Sequence, residues 1–343
     1  MDAPVVLFAY SRPDHTRRVI NSLLGNPEAA STDLVVYLDG PQKESERAAG
    51  ESIAEMVTNL SGFRSVKLIR AEKNKGLASS IIDGVTAQLL ERESVIVLED
   101  DIEVAPTFLR YMNDGLKIYK GDAGVASIHA HTYPVSQNLP ETFFVRGSDC
   151  WGWATWRRAW EIFEADGELL LQQLIETKEL AEFDFGHTAN FVEMLRNQIR
   201  GQNDSWAIRW HASTFVRNMV TLYPRDTQAI NIGQDGSGVH RGLIRLDQRR
   251  LNDRMVDVVW QKPQPLLAAQ SEFARYFLTQ RPRFARSWMG SAVYLFARKV
   301  HFLLPKKLRD ANRTFIQRSK RSGNKGTENE HLVALPPKNV TST

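Results

Sequence analysis

Short apolar runs alternate with longer amphipathic segments through the first hundred residues of this chain. The apolar runs are rich in β-branched residues, which is typical of buried strands. In the segments between them apolar residues recur every three or four positions, which is typical of helices that bury one face. Strand and helix in alternation predict βαβ units, and therefore an α/β fold whose mainly parallel, twisted sheet carries helices on both faces. The predicted strands span residues 5–9, 34–38, 66–69 and 94–98.

Beyond residue 100 the same patterns continue less regularly. They predict helices over about 106–119, 168–182 and 188–200, and strands near 125–128, 143–145 and 220–223. Four tryptophans between residues 151 and 160 straddle a glycine-containing loop, which we expect to lead into a helix. Residues 232–240 contain three glycines and predict a loop.

The fourth apolar run ends in three consecutive acids, Glu99, Asp100 and Asp101. Ligands bind open α/β sheets at the carboxyl ends of the strands, which is where these side chains are predicted to lie. Adjacent carboxylates repel one another and lose hydration at a half-buried strand end, so a neutralising cation is expected. Oxygen ligands alone favour Mg²⁺ or Mn²⁺ shared with a phosphate. The structural alternative is a solvated strand end before a capped helix.

Two more polar residues follow neighbouring strands. Arg12 comes just after the first strand, where it is placed to meet a nucleotide, and Asp39 ends the second. Asp39 is suited to accept hydrogen bonds from a base or ribose, and equally to an ordinary turn before Gly40 and Pro41. The chain has no P-loop motif and no Gly-x-Gly-x-x-Gly after its first strand, which argues against P-loop NTPases and dinucleotide oxidoreductases.

Positive charge is concentrated in the last seventy or so residues of the sequence. Residues 273–343 contain 15 Lys and Arg against 3 Asp and Glu, although the whole chain has a net charge of only +4. We expect a catalytic domain at 1–245, a basic amphipathic helical extension at 246–320 and a disordered tail at 321–343. Aromatic residues interleave with the basic ones over 273–321, so this segment either lies on an anionic membrane surface or packs on the domain.

Sequence composition limits which other partners and which cellular compartment are expected. No nucleic-acid-binding module is recognisable, so the basic segment is not assigned to nucleic acid. Its apolar runs are too short to cross a bilayer. The single cysteine, Cys150, excludes an internal disulfide framework and favours a reducing compartment. We therefore expect a cytoplasmic protein that is a candidate for peripheral attachment to the inner face of the cell membrane.

The acidic run and the residues after it, 99–108, resemble the DXD signature of the GT-A nucleotide-sugar glycosyltransferases, most closely the N-acetylglucosaminyltransferase I branch. Residues 74–78 resemble the matching segment of glycosyltransferase family 2, and 151–153 resemble the Gly-Trp loop that borders the sugar site in both groups. Residues 204–210, followed by 231–240, are similar to bacterial glycosyltransferases of cell-surface polysaccharide synthesis. The resemblance covers about residues 4–242.

The resemblance implies a GT-A, Rossmann-like fold with a donor site for a nucleotide sugar, with UDP-sugars favoured. It implies that Asp101 coordinates Mn²⁺ or Mg²⁺ directly, while Glu99 and Asp100 hold ribose or metal-bound water. Asp39 would contact the base, and Arg12 would lie near the base or phosphate.

Four further positions complete the expected site. Asp204 falls where the resemblance implies the catalytic base, although it is also suited to cap the helix that follows. Attack on the side opposite the leaving group would invert the anomeric configuration of the transferred sugar. The expected acceptor is a lipid-linked or cell-surface polysaccharide precursor. Trp151 and Trp153 are candidates for stacking on a sugar, and His240 for closing over the donor. A sugar-phosphate nucleotidyltransferase and a non-catalytic sugar-binding protein remain alternatives.

Overall fold

The computed structural model describes residues 2–233 and 251–280. His240, the segment 281–321 and the tail therefore lie outside the described residues. The strands in the described part are β1 (Val5–Ala9), β2 (Asp33–Leu38), β3 (Ser65–Arg70), β4 (Ser94–Glu99), β5 (Ile102–Val104), β6 (Val125–His129), β7 (Thr142–Arg146), β8 (Trp153–Trp156), β9 (Val220–Pro224) and β10 (Ala229–Asn231).

Helices connect most of these strands. Two short 3₁₀ helices span Pro27–Ser31 and Glu44–Glu46. The α-helices of the described part are α1 (Pro13–Leu24), α2 (Arg47–Thr58), α3 (Leu77–Glu91), α4 (Phe108–Ile118), α5 (Arg157–Trp160), α6 (Gly167–Glu176), α7 (Leu180–Phe183), α8 (Phe191–Ile199), α9 (Trp206–Phe215) and α10 (Leu267–Gln280).

Eight strands form one sheet in the order β3-β2-β1-β4-β8-β6-β9-β7. Six of them run in one direction, and β7 and β8 run antiparallel to their neighbours. The interior strand β1 and residues 95–98 of β4 are apolar and buried because both faces of the sheet are covered. The prediction of an α/β fold with a mainly parallel sheet and flanking helices is confirmed.

The segment with four tryptophans differs from its prediction. Residues 153–156 form β8 instead of the start of a helix, and the helix is limited to α5. β8 lies between β4 and β6 and pairs with both, so ladder hydrogen bonds on two sides outweigh local helix preference. Trp153 is consequently 1% exposed, and its ring stacks on Trp206 with the centroids 5.4 Å apart.

A second sheet of two strands lies beside the acidic run. β5 follows Asp101 directly and pairs antiparallel with β10, with Ile102 opposite Asn231. Neither strand was predicted, because three-residue strands leave almost no periodic signal. The pairing brings the residues after β10 against the carboxyl end of β4.

The first part of the predicted C-terminal extension packs on the preceding α/β part of the chain, and residues up to Gln280 belong to one compact unit. The backbone N–H of Leu266 donates to the carbonyl of Phe144 in β7 at 2.8 Å. Phe273 in α10 is buried against Tyr133 and Phe143. Within 2–233 and 251–280, no helix combines the length and apolar character needed to cross a membrane. Membrane association through 273–321 stays a prediction.

Asp33 joins the start of β2 to the start of β3. Arg64 donates from Nε to Asp33 Oδ1 at 2.8 Å, and the Ser65 hydroxyl donates to the same oxygen at 2.6 Å. The hydrogen bond from Arg64 and that from Ser65 outweigh the effect of burial, and they lower the pKa of Asp33 to about 2. The charged carboxylate therefore stabilises the fold.

We expect Asp33→Asn to lower the free energy of unfolding by about 1–2 kcal/mol at pH 7, allowing for solvent screening at Arg64. Because the folded-state pKa is depressed, the stabilisation is complete above about pH 4 and is lost as the pH falls toward 2. Urea unfolding of both proteins between pH 7 and 3 measures this. Glu44→Gln, which breaks an exposed ion pair with Arg47, is the control and should have a smaller effect. An equal difference at every pH would contradict the assignment.

Candidate functional site

The acidic run lies at the carboxyl edge of the large sheet, next to the ends of β1 and β2. In the parallel register Phe8 of β1 pairs with Glu99 of β4, and Ala9 pairs with Leu38 of β2. Arg12 and Asp39 follow those strand ends by a few residues at most, so both lie at the same edge. This is the location that the sequence predicts for a ligand site.

Arg12 contacts two of the three acids directly. Its Nη2 lies 2.5 Å from Asp100 Oδ1 and 3.0 Å from Asp101 Oδ2. The backbone N–H of Tyr10 also donates to Asp100, at 3.3 Å. The Arg12 carbonyl accepts hydrogen bonds from the backbone N–H and hydroxyl of Thr16, which fixes the Arg12 backbone at the start of α1. The guanidinium therefore bridges two carboxylates from a rigid backbone position.

One guanidinium does not balance three acids. Burial, reinforced by the charges of Asp101 and Asp100, raises the pKa of Glu99 to about 8. Burial also raises the pKa of Asp100 to about 6, although the charge of Arg12 opposes the shift. Both shifts show that burial disfavours the charged forms of these carboxyl groups, and additional positive charge would favour the charged forms.

Asp101 uses one of its two carboxylate oxygens in the ion pair with Arg12. Its Oδ2 faces Arg12, whereas its Oδ1 is buried and has no hydrogen-bond partner among the described residues. Over residues 2–233 and 251–280, no group of three or more His, Cys, Asp or Glu side chains forms a metal cage. Mg²⁺ is usually held by one or two carboxylates together with substrate phosphates, so the single free oxygen of Asp101 fits that kind of site.

Gly233, which sequence reasoning did not single out, contacts the ion pair. The backbone N–H of Ile232 donates to the carbonyl of Asp101 at 2.8 Å and holds the segment after β10 over the acids. A Cβ at Gly233 would lie 2.3 Å from Asp101 Oδ2 and 2.7 Å from Arg12 Nη1. Any other residue would displace one of them. The signal in the sequence was the predicted glycine-rich loop over 232–240.

Asp39 joins the end of β2 to the segment before α3. Its carboxylate accepts hydrogen bonds from the backbone N–H groups of Gly40 at 2.9 Å, Lys75 at 2.8 Å and Gly76 at 3.0 Å, and from Asn74 Nδ2 at 3.1 Å. This is the turn role that the sequence left open. It also ties the segment that resembles family 2 to the sheet edge.

A cavity of about 330 Å³ opens beside Asp39 at the ends of β1, β2 and β3. Its walls mix apolar backbone and side-chain surface with polar groups, as small-molecule sites do. The lining includes Tyr10, Leu38, Asp39, Arg70 and Glu72.

The loop before β8 borders the acidic run. Gly152 in this loop packs against Ile102, since a Cβ at Gly152 would lie 3.5 Å from Ile102 Cγ2. Burial raises the pKa of the Cys150 thiol well above its usual value, and the charges of Asp149, Glu99 and Asp101 add to the shift. Trp151 is half-buried, with its ring edge-to-face to His131 at 4.7 Å. Trp151 therefore stays a candidate for contact with a ligand. The fully buried Trp153 has no free face for a ligand and is left out of the site.

Asp204 makes its contacts within and next to α9, not with the acidic run. Ser205, not Asp204, caps α9, since its hydroxyl accepts from the backbone N–H of Ile208 at 3.3 Å. Asp204 Oδ1 accepts from Arg209 Nη2 at 2.9 Å, and the Asp204 side chain is 70% exposed. Within the described ranges no hydrogen bond or ion pair joins Asp204 to Arg12 or the acidic run.

Comparison with known proteins gives distant structural likenesses. No family model and no curated protein matches the chain. It is similar to TarS residues 1–349 of S. aureus, at 14% identity and a TM-score of 0.32, over 46% of this chain and 47% of that one. It is also similar to the mannosyltransferase PcManGT of Pyrobaculum calidifontis in complex with GDP-Man and Mn²⁺, at 14% identity and a TM-score of 0.28, over 39% of this chain and 37% of that one.

A third likeness, to UDP-glucose pyrophosphorylase complexed with UDP-glucose, has 11% identity and a TM-score of 0.36 over 81% of this chain and all of that one. The chain thus spans about half the length of the TarS fragment and about a third of PcManGT. Such low identities and TM-scores leave the family open.

Proposed function

We propose that this protein is a metal-dependent glycosyltransferase that moves a sugar from a nucleotide sugar to an acceptor hydroxyl. The observation that carries the proposal is the free, buried oxygen of Asp101 at the carboxyl edge of a parallel sheet. It lies in a cluster of three acids in which, within 2–233 and 251–280, Arg12 is the basic residue that pairs with them. Such a site suits a divalent cation that also binds a diphosphate.

Asp101 would hold Mn²⁺ or Mg²⁺ through Oδ1, and the bound cation would stabilise negative charge on the departing nucleoside diphosphate. Arg12 would contribute positive charge toward the phosphates, while Glu99 and Asp100 would bind ribose or ordered water. The cavity beside Asp39 would accept the base, with Asp39 holding its wall in place. Trp151 would border the sugar.

Asp204 would remove the proton from the acceptor hydroxyl, and attack opposite the leaving group would invert the anomeric configuration. Its carboxylate is exposed, as a base that meets an incoming acceptor must be. Arg209 binds one oxygen and keeps the carboxylate oriented. We propose a UDP-sugar as donor and a lipid-linked or cell-surface polysaccharide precursor as acceptor, in a cytoplasmic enzyme.

Calorimetric titration with UDP-, GDP-, dTDP- and CMP-sugars, each with and without Mn²⁺, tests this proposal. We expect one nucleotide class to bind in the micromolar range and to bind about tenfold or more weakly without metal. Binding of a nucleoside triphosphate with a sugar phosphate, and release of pyrophosphate, would instead favour a nucleotidyltransferase. Donor binding without transfer to any acceptor or water would favour a non-catalytic role, and no binding by the folded protein would refute the site.

A further inference from the structure

We infer that Arg12 competes with the divalent cation for Asp101, so that the free protein binds metal weakly until a diphosphate draws Arg12 away. The inference rests on the proposed function, because it concerns the same metal site. It goes further by assigning Arg12 two alternative partners, the carboxylates in the free protein and the donor's phosphates in the complex. Arg12 then couples metal binding to nucleotide binding.

The contacts of Arg12 support this competition. Arg12 Nη2 is within hydrogen-bond distance of Asp100 and Asp101 at once, and charge-assisted hydrogen bonds of this kind are about twice as strong as those between neutral groups. The guanidinium binds one oxygen of Asp101, and the free oxygen belongs to the same carboxylate. Two cationic groups on one carboxylate repel each other, so metal binding weakens the contact with Arg12 and the converse also holds.

The surroundings of Arg12 define how it leaves. Its backbone is fixed by Thr16 at the start of α1, so the side chain must move while the backbone stays. Gly233 closes one side, since even a Cβ there would collide with Arg12 Nη1. The Arg12 side chain is nevertheless 24% exposed, so it has a route toward solvent and toward a ligand at the sheet edge.

The competition at Asp101 links the affinity for Mn²⁺ to the affinity for nucleotide. A diphosphate that binds the displaced guanidinium removes the competitor, so Mn²⁺ and nucleotide each raise the affinity of the other by the same factor. An opposite charge at this distance commonly shifts a carboxylate's proton affinity by about ten- to a thousandfold. We therefore expect removal of the Arg12 charge to raise Mn²⁺ affinity in the absence of nucleotide by about tenfold or more.

The test is titration of the free protein with Mn²⁺ alone, followed by electron paramagnetic resonance at fixed ionic strength. Arg12→Gln should bind Mn²⁺ about tenfold or more tightly than wild type, and adding Asp101→Asn to it should abolish this binding. Arg12→Lys keeps the charge and should stay within about threefold of wild type. Arg18→Gln is the matched control, because Arg18 lies in α1, which follows Arg12 directly, and pairs with Glu103 at 2.5 Å. The Mn²⁺ affinity of this variant should be unchanged.

An Arg12→Gln affinity equal to or below that of wild type would overturn the inference, as would undetectable Mn²⁺ binding by both. An equal gain in Arg18→Gln would also overturn it, because the effect would then come from overall charge. The experiments distinguish failure of this inference from failure of the proposed function. If Mn²⁺ is required for donor binding but is indifferent to Arg12, only the inference fails. If Arg12→Gln gains Mn²⁺ affinity but no nucleotide sugar binds wild type, the competition for Asp101 stands, while the proposed function and the coupling to a diphosphate both fail.

Discussion

Replacing Asp101 with Asn is expected to remove Mn²⁺-dependent donor binding and to reduce turnover by about 10²- to 10⁴-fold. The amide keeps the size of the side chain but loses the charged oxygen that is buried without a partner. A bound divalent cation supplies several kcal/mol of charge stabilisation at a leaving phosphate, and each 1.36 kcal/mol corresponds to a factor of ten in rate. Calorimetry with Mn²⁺ and donor, beside steady-state rates, measures both effects.

Two comparisons sharpen that experiment. A chelator added to the wild-type protein should reproduce the rate of Asp101→Asn and should have no further effect on the variant. Glu103→Gln removes a carboxylate two residues away whose partner is Arg18, outside the cluster, and turnover should stay within about threefold of wild type. Metal-dependent donor binding that survives in Asp101→Asn would show that the cation binds elsewhere.

The strands and the acidic run could be predicted because their signals are local. A short, mainly apolar segment in the sequence marks each of the first four strands, β1 to β4. The position of Glu99, Asp100 and Asp101 at a strand end follows from the apolar segment of β4 alone. The contact of Arg12 with two of these acids could not be predicted in the same way. It depends on β1 pairing with β4, whose paired residues are about ninety positions apart in the sequence, and strand order is a property of the whole sheet.

Other differences arise from partners that local pattern does not show. Trp153 belongs to a strand because β4 and β6 pair with it on both sides, and that pairing also buries the ring that was expected to meet a sugar. Gly233 matters only because β10 pairs with β5 and brings it to Asp101. At α9 the sequence offered Asp204 as the cap, whereas the fold uses the next residue, Ser205.

That choice of cap makes Asp204 a sharper test of catalysis than the sequence alone suggested. Since Ser205 caps α9, the carboxylate of Asp204 is not required to start the helix. We expect Asp204→Asn to lower kcat by about 10²- to 10⁴-fold, the usual contribution of a general base, while donor affinity and melting temperature stay near those of wild type. Rates at saturating donor and acceptor, donor titration and thermal unfolding measure the three quantities.

Ser205→Ala separates the catalytic role from the structural one, since it removes the cap and leaves the carboxylate. It should lower the free energy of unfolding by about 1 kcal/mol and leave kcat within about threefold of wild type. If Asp204 is the base and Ser205 the cap, Asp204→Asn should change mainly kcat, and Ser205→Ala should change mainly the free energy of unfolding. If Asp204→Asn instead kept near-normal turnover and lost stability, Asp204 would serve only to hold Arg209, and the base would have to be sought elsewhere.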